Sequence, residues 1–418
     1  MFTAQTQTRL RRLSLVASVA VLAISLSGCA TAAGNKPATS AAADDSLGAC
    51  GTLSTTTPAD ADGVLAALPA DAQKGYQAFP YAVAKSAWAD SKALTTPFKL
   101  GFVTLPGSAG FGNDVGDELV KRTKAGKADG TTDGNLVVSA MTSYNPSEQI
   151  QLFQQTVASG VNAILIFPLS GPAMVDAVNA AGAKGIPTIA VNNYIPSKYA
   201  INVLVNPYLN AMIPISNAIK IAKGKGDMLM VNGIQGDTNT SIASAGLTEM
   251  LKGCPNLNLA GQVDGGYSVG GAKAAVQKFL ASHPGPISVA GQTGVMGAGV
   301  VAAFQQTGRP VPVVSFSGLQ AAESGYWAAN VKKGYSTSGS MTNGVKIADV
   351  VYDVAIKTLQ GQGPKIDSFA FYPTIVTDKT VAATAPAGAD INAAGESVYP
   401  GTFVSDTLLN EFFTTPSK

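Results

Sequence analysis

Charged side chains are scarce in this 418-residue chain, at 13% of the total, about half the usual share for soluble globular proteins. The 28 basic residues include Arg9, Arg11 and Arg12, which leaves 25 against 26 acidic ones beyond residue 28. No lysine or arginine run breaks that balance, so the patch a nucleic-acid partner needs to neutralise phosphates is missing. Histidine is rarer still, His283 being the only one. Its solitude disfavours a paired-histidine metal site, a Ser-His-Asp triad with a spare proton shuttle, and most zinc chemistry. His283 itself stands beside Pro284 and reads as a surface loop residue. Cysteine is limited to Cys29, Cys50 and Cys254.

Long apolar runs are also lacking. Leu13–Leu26, at about 14 residues, is too short for a good membrane span. Preceded by arginines and followed by small residues, it reads as a secretory signal covering residues 1–28. Leu26-Ser27-Gly28-Cys29 resembles the bacterial lipobox, which implies acylation of Cys29 and a lipid anchor on the extracytoplasmic face of the cell membrane. Residues 29–46, rich in Ala, Thr, Ser, Gly and Pro, bury too little apolar surface to fold and read as a tether. Outside the cytoplasm Cys50 and Cys254 suggest a disulfide that pins the N-terminal segment to the body, against the alternative of two unrelated thiols. Closing so long a loop stabilises by roughly 4–5 kcal/mol in the chain-entropy model.

Residues 47–97 hold Pro58, Pro69, Pro80 and Pro97 with Tyr76, Phe79, Tyr81 and Trp88. A disordered tail is poorer in aromatics, so this extension is expected to pack on the body. From Phe98 short apolar runs alternate with stretches of helical period. Strands are expected at Lys99–Leu105, Leu136–Met141, Ala163–Phe167 and Thr188–Val191, with helices near 113–125, 147–159 and 172–183. Asn145-Pro146-Ser147-Glu148 offers a cap, a proline in the first turn and an acid at the third position. A second set follows, with strands at Asp227–Val231, Leu257–Val263, Ile287–Ala290 and Val311–Phe316 and helices near 209–222, 240–251, 270–281 and 296–306. Then come a helix near 320–331, strand-like Tyr335–Met341, a helix near 344–360 and a strand at Phe369–Val376. The class is α/β, built from two doubly wound parallel units.

Five fragments in order carry a likeness. They are Lys99-Leu100-Gly101-Phe102-Val103, Asn145-Pro146-Ser147-Glu148-Gln149, Gly160 to Pro168, Gly185 to Asn192, and Val313-Val314-Ser315-Phe316-Ser317-Gly318. Over roughly residues 98–380 the chain resembles the type 1 periplasmic binding proteins of the ribose/galactose class, ligand receptors of ATP-driven (ABC) importers. The resemblance implies two parallel-sheet lobes joined by a three-strand hinge: residues 98–204 plus 342–367, and residues 205–341 plus 368–418. Crossings are expected near Val203–Asn206, Met341–Asn343 and Ile366–Ser368.

Ligands of open α/β sheets gather at the carboxyl ends of strands. With the resemblance, that points to Ser108 and Phe111 after the first strand, Phe111 as a stacking aromatic. It points also to Asn192 and Asn193, where sugar receptors commonly show Asp-Arg, and to Asn239 and Ser241, where an arginine is usual. Tyr267 matches an aromatic, Gln292 an asparagine, Ser317 the aspartate of Phe-Asp-Gly, and Thr342 or Asn343 a glutamine. Charged groups bind hydroxyls more strongly than neutral ones do, so amides and hydroxyls at these positions imply an uncharged ligand, a sugar or polyol by preference. A less polar aromatic or cyclic solute is the alternative.

The implied mechanism is hinge closure followed by docking on a membrane permease, or on a signalling receptor in a second reading. The expected partners are a small-molecule ligand, the permease and the lipid anchor, with the protein a monomer and no cofactor or metal. An enzyme is disfavoured because the expected cleft has no cysteine, no histidine and no close carboxylate pair. Asp114, Asp117 and Glu118 read as acids at a helix start. Gly110-Phe111-Gly112 and Gly294-Val295-Met296-Gly297 lack the full nucleotide-loop fingerprint.

Overall fold

The computed structural model describes residues 47–106 and 111–414. The expected signal peptide, the tether, Cys29 and Ser108 lie outside the described residues.

The N-terminal extension carries one short helix, α1 (Ala70–Gln73), and Cys50 is joined to Cys254 by a disulfide. Beyond it, β1 (Phe98–Thr104), α2 (Phe111–Ala125), β2 (Thr132–Ala140), α3 (Pro146–Ala158), β3 (Ala163–Ile166), α4 (Gly171–Gly182), β4 (Thr188–Val191) and β5 (Ala200–Val205) wind the first lobe. Every residue of β3, β4 and β5 is buried, as expected of central parallel strands covered by helices on both faces. Asn145 caps α3 by accepting from the Ser147 amide at 2.9 Å, with Pro146 in its first turn. Glu148 does something else than expected: instead of reaching back to the cap, its carboxylate accepts from the amides and hydroxyls of Thr142 and Ser143 at 2.7–3.1 Å. Those four bonds hold its pKa down to about 2 and fix the loop that carries Tyr144.

The second lobe comprises α5 (Pro207–Ile221), β6 (Gly226–Asn232), α6 (Thr238–Leu251), β7 (Leu257–Asp264), α7 (Val269–Ser282), β8 (Ile287–Gln292), α8 (Gly297–Gln306), β9 (Val313–Val314), β10 (Phe316–Ser317), α9 (Ala321–Val331) and β11 (Ser338–Met341). The run expected as one strand at Val311–Phe316 is thus two short ones, divided at Ser315, whose buried hydroxyl accepts from the Gln292 amide. The chain then forms α10 (Gly344–Leu359), β12 (Ser368–Phe371), β13 (Thr374–Thr377), α11 (Val381–Thr384) and α12 (Asp406–Glu411).

The first sheet is wholly parallel in the order β12-β5-β4-β3-β1-β2, and a second parallel sheet runs β7-β6-β8-β9. A three-stranded sheet, β10-β11-β13, sits beside the second, its β13 antiparallel to β11. At the hinge the chain passes between lobes after β5, between β11 and α10, and between β12 and β13, and the tail returns to the first lobe between α11 and α12. The third passage corrects the expectation at Ile366–Ser368. Ser368–Phe371 pairs with Asn202–Val205 in the first lobe's sheet, so the apolar run Phe369–Val376 is two strands in two lobes, broken at Tyr372-Pro373. A second boundary also shifts: Leu409, Phe412 and Phe413 pack into the first lobe's core with Phe369 and Phe371, so the tail does not stay with the second lobe.

The extension covers the hinge from outside. Tyr76 and Phe79 are buried in the first lobe's core, and the Tyr76 hydroxyl donates to the Ser368 carbonyl. Asn206, buried at the first crossing, caps α5 and donates to the carbonyls of Gly75 and Gln77 at 2.9 and 2.8 Å. Cys50, at the other end, sits in the core around α5 and α6.

Candidate functional site

A cavity of about 410 Å³ lies between the lobes, within the size range of small-molecule sites. Its walls come from the segments that follow the strands: Phe167 and Leu169 after β3, Asn192 and Asn193 after β4, Asp237 after β6, Tyr267 after β7, Thr293 after β8 and Thr342 after β11. The carboxyl ends of both parallel sheets therefore face one space.

Of the residues expected from sequence, Phe111, Asn192, Asn193, Asn239, Tyr267 and Thr342 line this cavity. The Phe111 ring meets Phe167 edge-on, with centroids 5.8 Å apart. Ser241, Gln292 and Ser317 do not line it. Ser241 is exposed on the first turn of α6, its hydroxyl donating to the Asp237 carbonyl at 3.1 Å. Gln292 and Ser317 are buried behind the wall. The Gln292 amide nitrogen donates to the Ser317 carbonyl at 3.1 Å, and its oxygen accepts from the Gly294 amide at 2.7 Å. Gln292 thereby positions the loop bearing Thr293 without reaching the ligand space.

Two carboxylates correct the expectation of a cleft without charged groups: Asp117, exposed on α2 and read from sequence only as an acid at a helix start, and Asp237 both line the cavity. Asp237 is the more engaged of the two. It is the N-cap of α6, accepting from the Thr240 amide at 2.9 Å. The same oxygen accepts from the Tyr267 hydroxyl at 2.7 Å, and the other accepts from the Asn193 amide at 3.3 Å. With both oxygens engaged at a helix N-terminus, the carboxylate's acceptor capacity is largely taken up by protein donors. Its capping position is legible in the sequence, as an aspartate one residue before a helical stretch. The family pattern points past it, to Asn239 and Ser241.

Two of these contacts span the lobes: Asn193 to Asp237, and the Asn239 side-chain amide to the Asn192 carbonyl at 3.5 Å. Burial, with the Asp237 carboxylate second, pushes the Tyr267 hydroxyl well above its ordinary pKa, so it remains a proton donor. Its backbone, like that of Asn192, is left-handed, at φ 51° and 56°. Asparagine tolerates that region, whereas tyrosine incurs a strain of about 1–3 kcal/mol there. Glycine explains how the Tyr267 ring fits: a Cβ on Gly233 or Gly294 would come within 2.1 or 2.7 Å of it. The Gly294 that resembled part of a nucleotide loop is a seat for this ring.

Three buried polar atoms of cavity-lining residues have no partner: Asn193 Oδ1, Asn210 Oδ1 and Thr293 Oγ1. Buried polar atoms are ordinarily satisfied, so these three, two acceptors and a hydroxyl that can donate or accept, are unmet capacity within the cavity wall. Among the described residues no cluster of His, Cys, Asp or Glu suits a metal ion.

A D-apiose import binding protein from Paraburkholderia graminis is 27% identical over 175 residues, 41% of this chain and 56% of that protein. A xylitol-binding protein from Mycolicibacterium smegmatis is 25% identical over 235 residues, 56% of this chain and 66% of that protein. The chain thus spans somewhat over half the length of these curated relatives. Among solved structures, an ABC transporter solute binding protein from Thermobispora bispora superposes with a TM-score of 0.64 at 18% identity, covering 73% of this chain and 92% of that one; it shares the fold. The family model for the periplasmic binding protein domain matches residues 100–363, well over half of the sequence. With two parallel-sheet lobes, three passages at the hinge and a cavity at the strand ends, the chain belongs to the periplasmic binding protein family.

Proposed function

We propose that the protein is the extracytoplasmic, lipid-anchored solute receptor of an ABC importer, binding an uncharged hydroxylated molecule, a sugar or polyol, between its lobes. It binds its solute without transforming it and acts as a monomer. The observation that carries the reading is that residues with uncharged polar side chains, Asn192, Asn193, Asn210, Thr293 and Thr342 among them, line one interlobe cavity from both lobes, and that Asn193, Asn210 and Thr293 each keep a buried polar atom without a partner. Hydroxyl groups satisfy such atoms without bringing a charge. The relatives named for apiose and xylitol support the same class.

Closure follows from the geometry. A ligand that bonds Asn193 on one wall and Thr293 or Tyr267 on the other stabilises the arrangement in which those walls meet, and so shifts the population toward it. The closed face then docks on the permease. Cys29 carries the lipid, and since one acyl chain binds membranes only marginally, more than one is expected. A thermal-shift screen of sugars and polyols tests the binding: a true ligand raises the Tm as its occupancy rises, and no shift from any of them would reject it. Cys29→Ala tests the anchor, with release from the membrane fraction expected and unchanged retention contradicting it.

A further inference from the structure

We propose that the ligand carries an apolar substituent, about one ring in size, on its hydroxylated part, and that this arm lies in a trough between α2 and the edge strand β2. The inference rests on the cleft reading above and narrows its ligand class to glycosides or ring polyols with an aryl-like group.

Among the described residues eight large hydrophobic side chains are exposed, and three of them, Val120, Val138 and Tyr144 at 45–49%, line this one cavity. Scattered single exposures need no explanation, but an apolar patch continuous with a binding site does. The trough has a local origin. Gly112, Gly116 and Val120 recur every four residues and so share one face of α2, with Asn113 and Asp117 along its flank. Gly116 leaves that face bare beside the Phe102 ring, since a Cβ there would stand 3.5 Å from it. Val138, directly opposite Phe102 in register, closes the far side.

Size agrees with chemistry. An apolar cavity of about 150 Å³ takes one benzene ring, so about 410 Å³ holds a hydroxylated ring and a second ring beside it. A free sugar seated on Asn193, Asn210 and Thr293 would leave this wall against water. A planar apolar group would cover it, and burial of such area is favourable.

The test is a calorimetric titration of the purified full-length chain with methyl and phenyl β-glycosides of D-xylose, D-ribose and D-galactose. For at least one sugar the phenyl glycoside should bind at least about tenfold tighter than its methyl counterpart. Gly116→Leu, which fills the trough, should bring that ratio below about two, and Val138→Thr should lower it less. Methyl glycosides that bind with no phenyl advantage would overturn the apolar arm while leaving the cleft reading intact. No binding by any probe would overturn both. A phenyl advantage that survives both variants would remove the trough as its seat.

Discussion

The two walls of the cleft are built by the same device, loops after parallel strands, yet they differ in chemistry. On the second lobe Asp237, Tyr267 and Thr240 form a closed hydrogen-bond network whose geometry is set before any ligand arrives. On the first lobe Phe102, Phe111, Phe167 and Val138 present carbon, with Asn113, Asp117, Asn192 and Asn193 as its polar edge. Recognition is therefore split between the lobes. On the proposed function, the second wall would orient the ligand through a preset polar frame, and the first would supply apolar area.

The largest expected effect comes from breaking the network. Asp237→Ala removes a helix cap and the carboxylate acceptor of the Tyr267 hydroxyl, while the Asn193 amide keeps the Pro168 carbonyl at 2.8 Å. A cap is worth about 1 kcal/mol and the stranded Tyr267 hydroxyl about 1–3, so denaturant unfolding should show a loss of about 2–4 kcal/mol. A variant as stable as the parent would dissolve the contrast between the walls. Tyr267→Phe keeps the ring over Gly233 and Gly294 and removes only the hydroxyl; it should cost about 1–2 kcal/mol, read the same way. On the opposite wall Phe111→Leu loses the edge contact with Phe167, worth about 0.5–1.5 kcal/mol, and should weaken ligand binding by a few-fold in a calorimetric titration.

The smallest effect concerns pH and a contact away from the walls. Glu396, held to the second lobe by a bridge between Gln320 and Glu396, reaches the start of α10 on the first, where its carboxylate accepts from the Gly344 amide at 2.8 Å and from Asn343. Burial, with nearby Asp114, pushes its pKa up to about 7. Asp367, beside the extension, is pushed up to about 6, again chiefly by burial. Both values are raised in the folded state, so their stabilising contribution is complete below about pH 4, the ordinary carboxylate range, and is lost as pH rises through 6 and 7. The ligand-free Tm should therefore fall by a few degrees between pH 5 and pH 8, and Glu396→Gln should flatten part of that slope. A Tm that rises over this interval would contradict the assignment.

Much of the frame is legible from residue patterns. Buried parallel strands such as Thr188–Val191 read as unbroken apolar runs, and α3 announces itself through Asn145 and Pro146. The break inside Phe369–Val376 is not legible, because both halves are apolar and only long-range pairing separates them. For the site, chain position after a strand finds Asn192, Asn193 and Tyr267, since strand ends are a topological property. It misplaces Gln292 and Ser317, because whether a polar side chain faces the cavity or the layer behind it depends on packing that no local pattern records. Asp237 shows the reverse: the sequence reading passes over it, and it becomes the meeting point of the two walls only when Tyr267 and Asn193 arrive from distant segments.

The central claim is that a hydroxylated solute bridges the two walls through groups left unpartnered. Its most direct test is calorimetric titration of the full-length chain and of Asn193→Ala with pentoses, pentitols and myo-inositol, free or as glycosides. At least one should bind the parent, with affinity reduced at least about tenfold in Asn193→Ala, as expected for a lost buried hydrogen bond of about 1.4 kcal/mol. Failure of every sugar and polyol to bind, or binding that Asn193→Ala leaves unchanged, would contradict it.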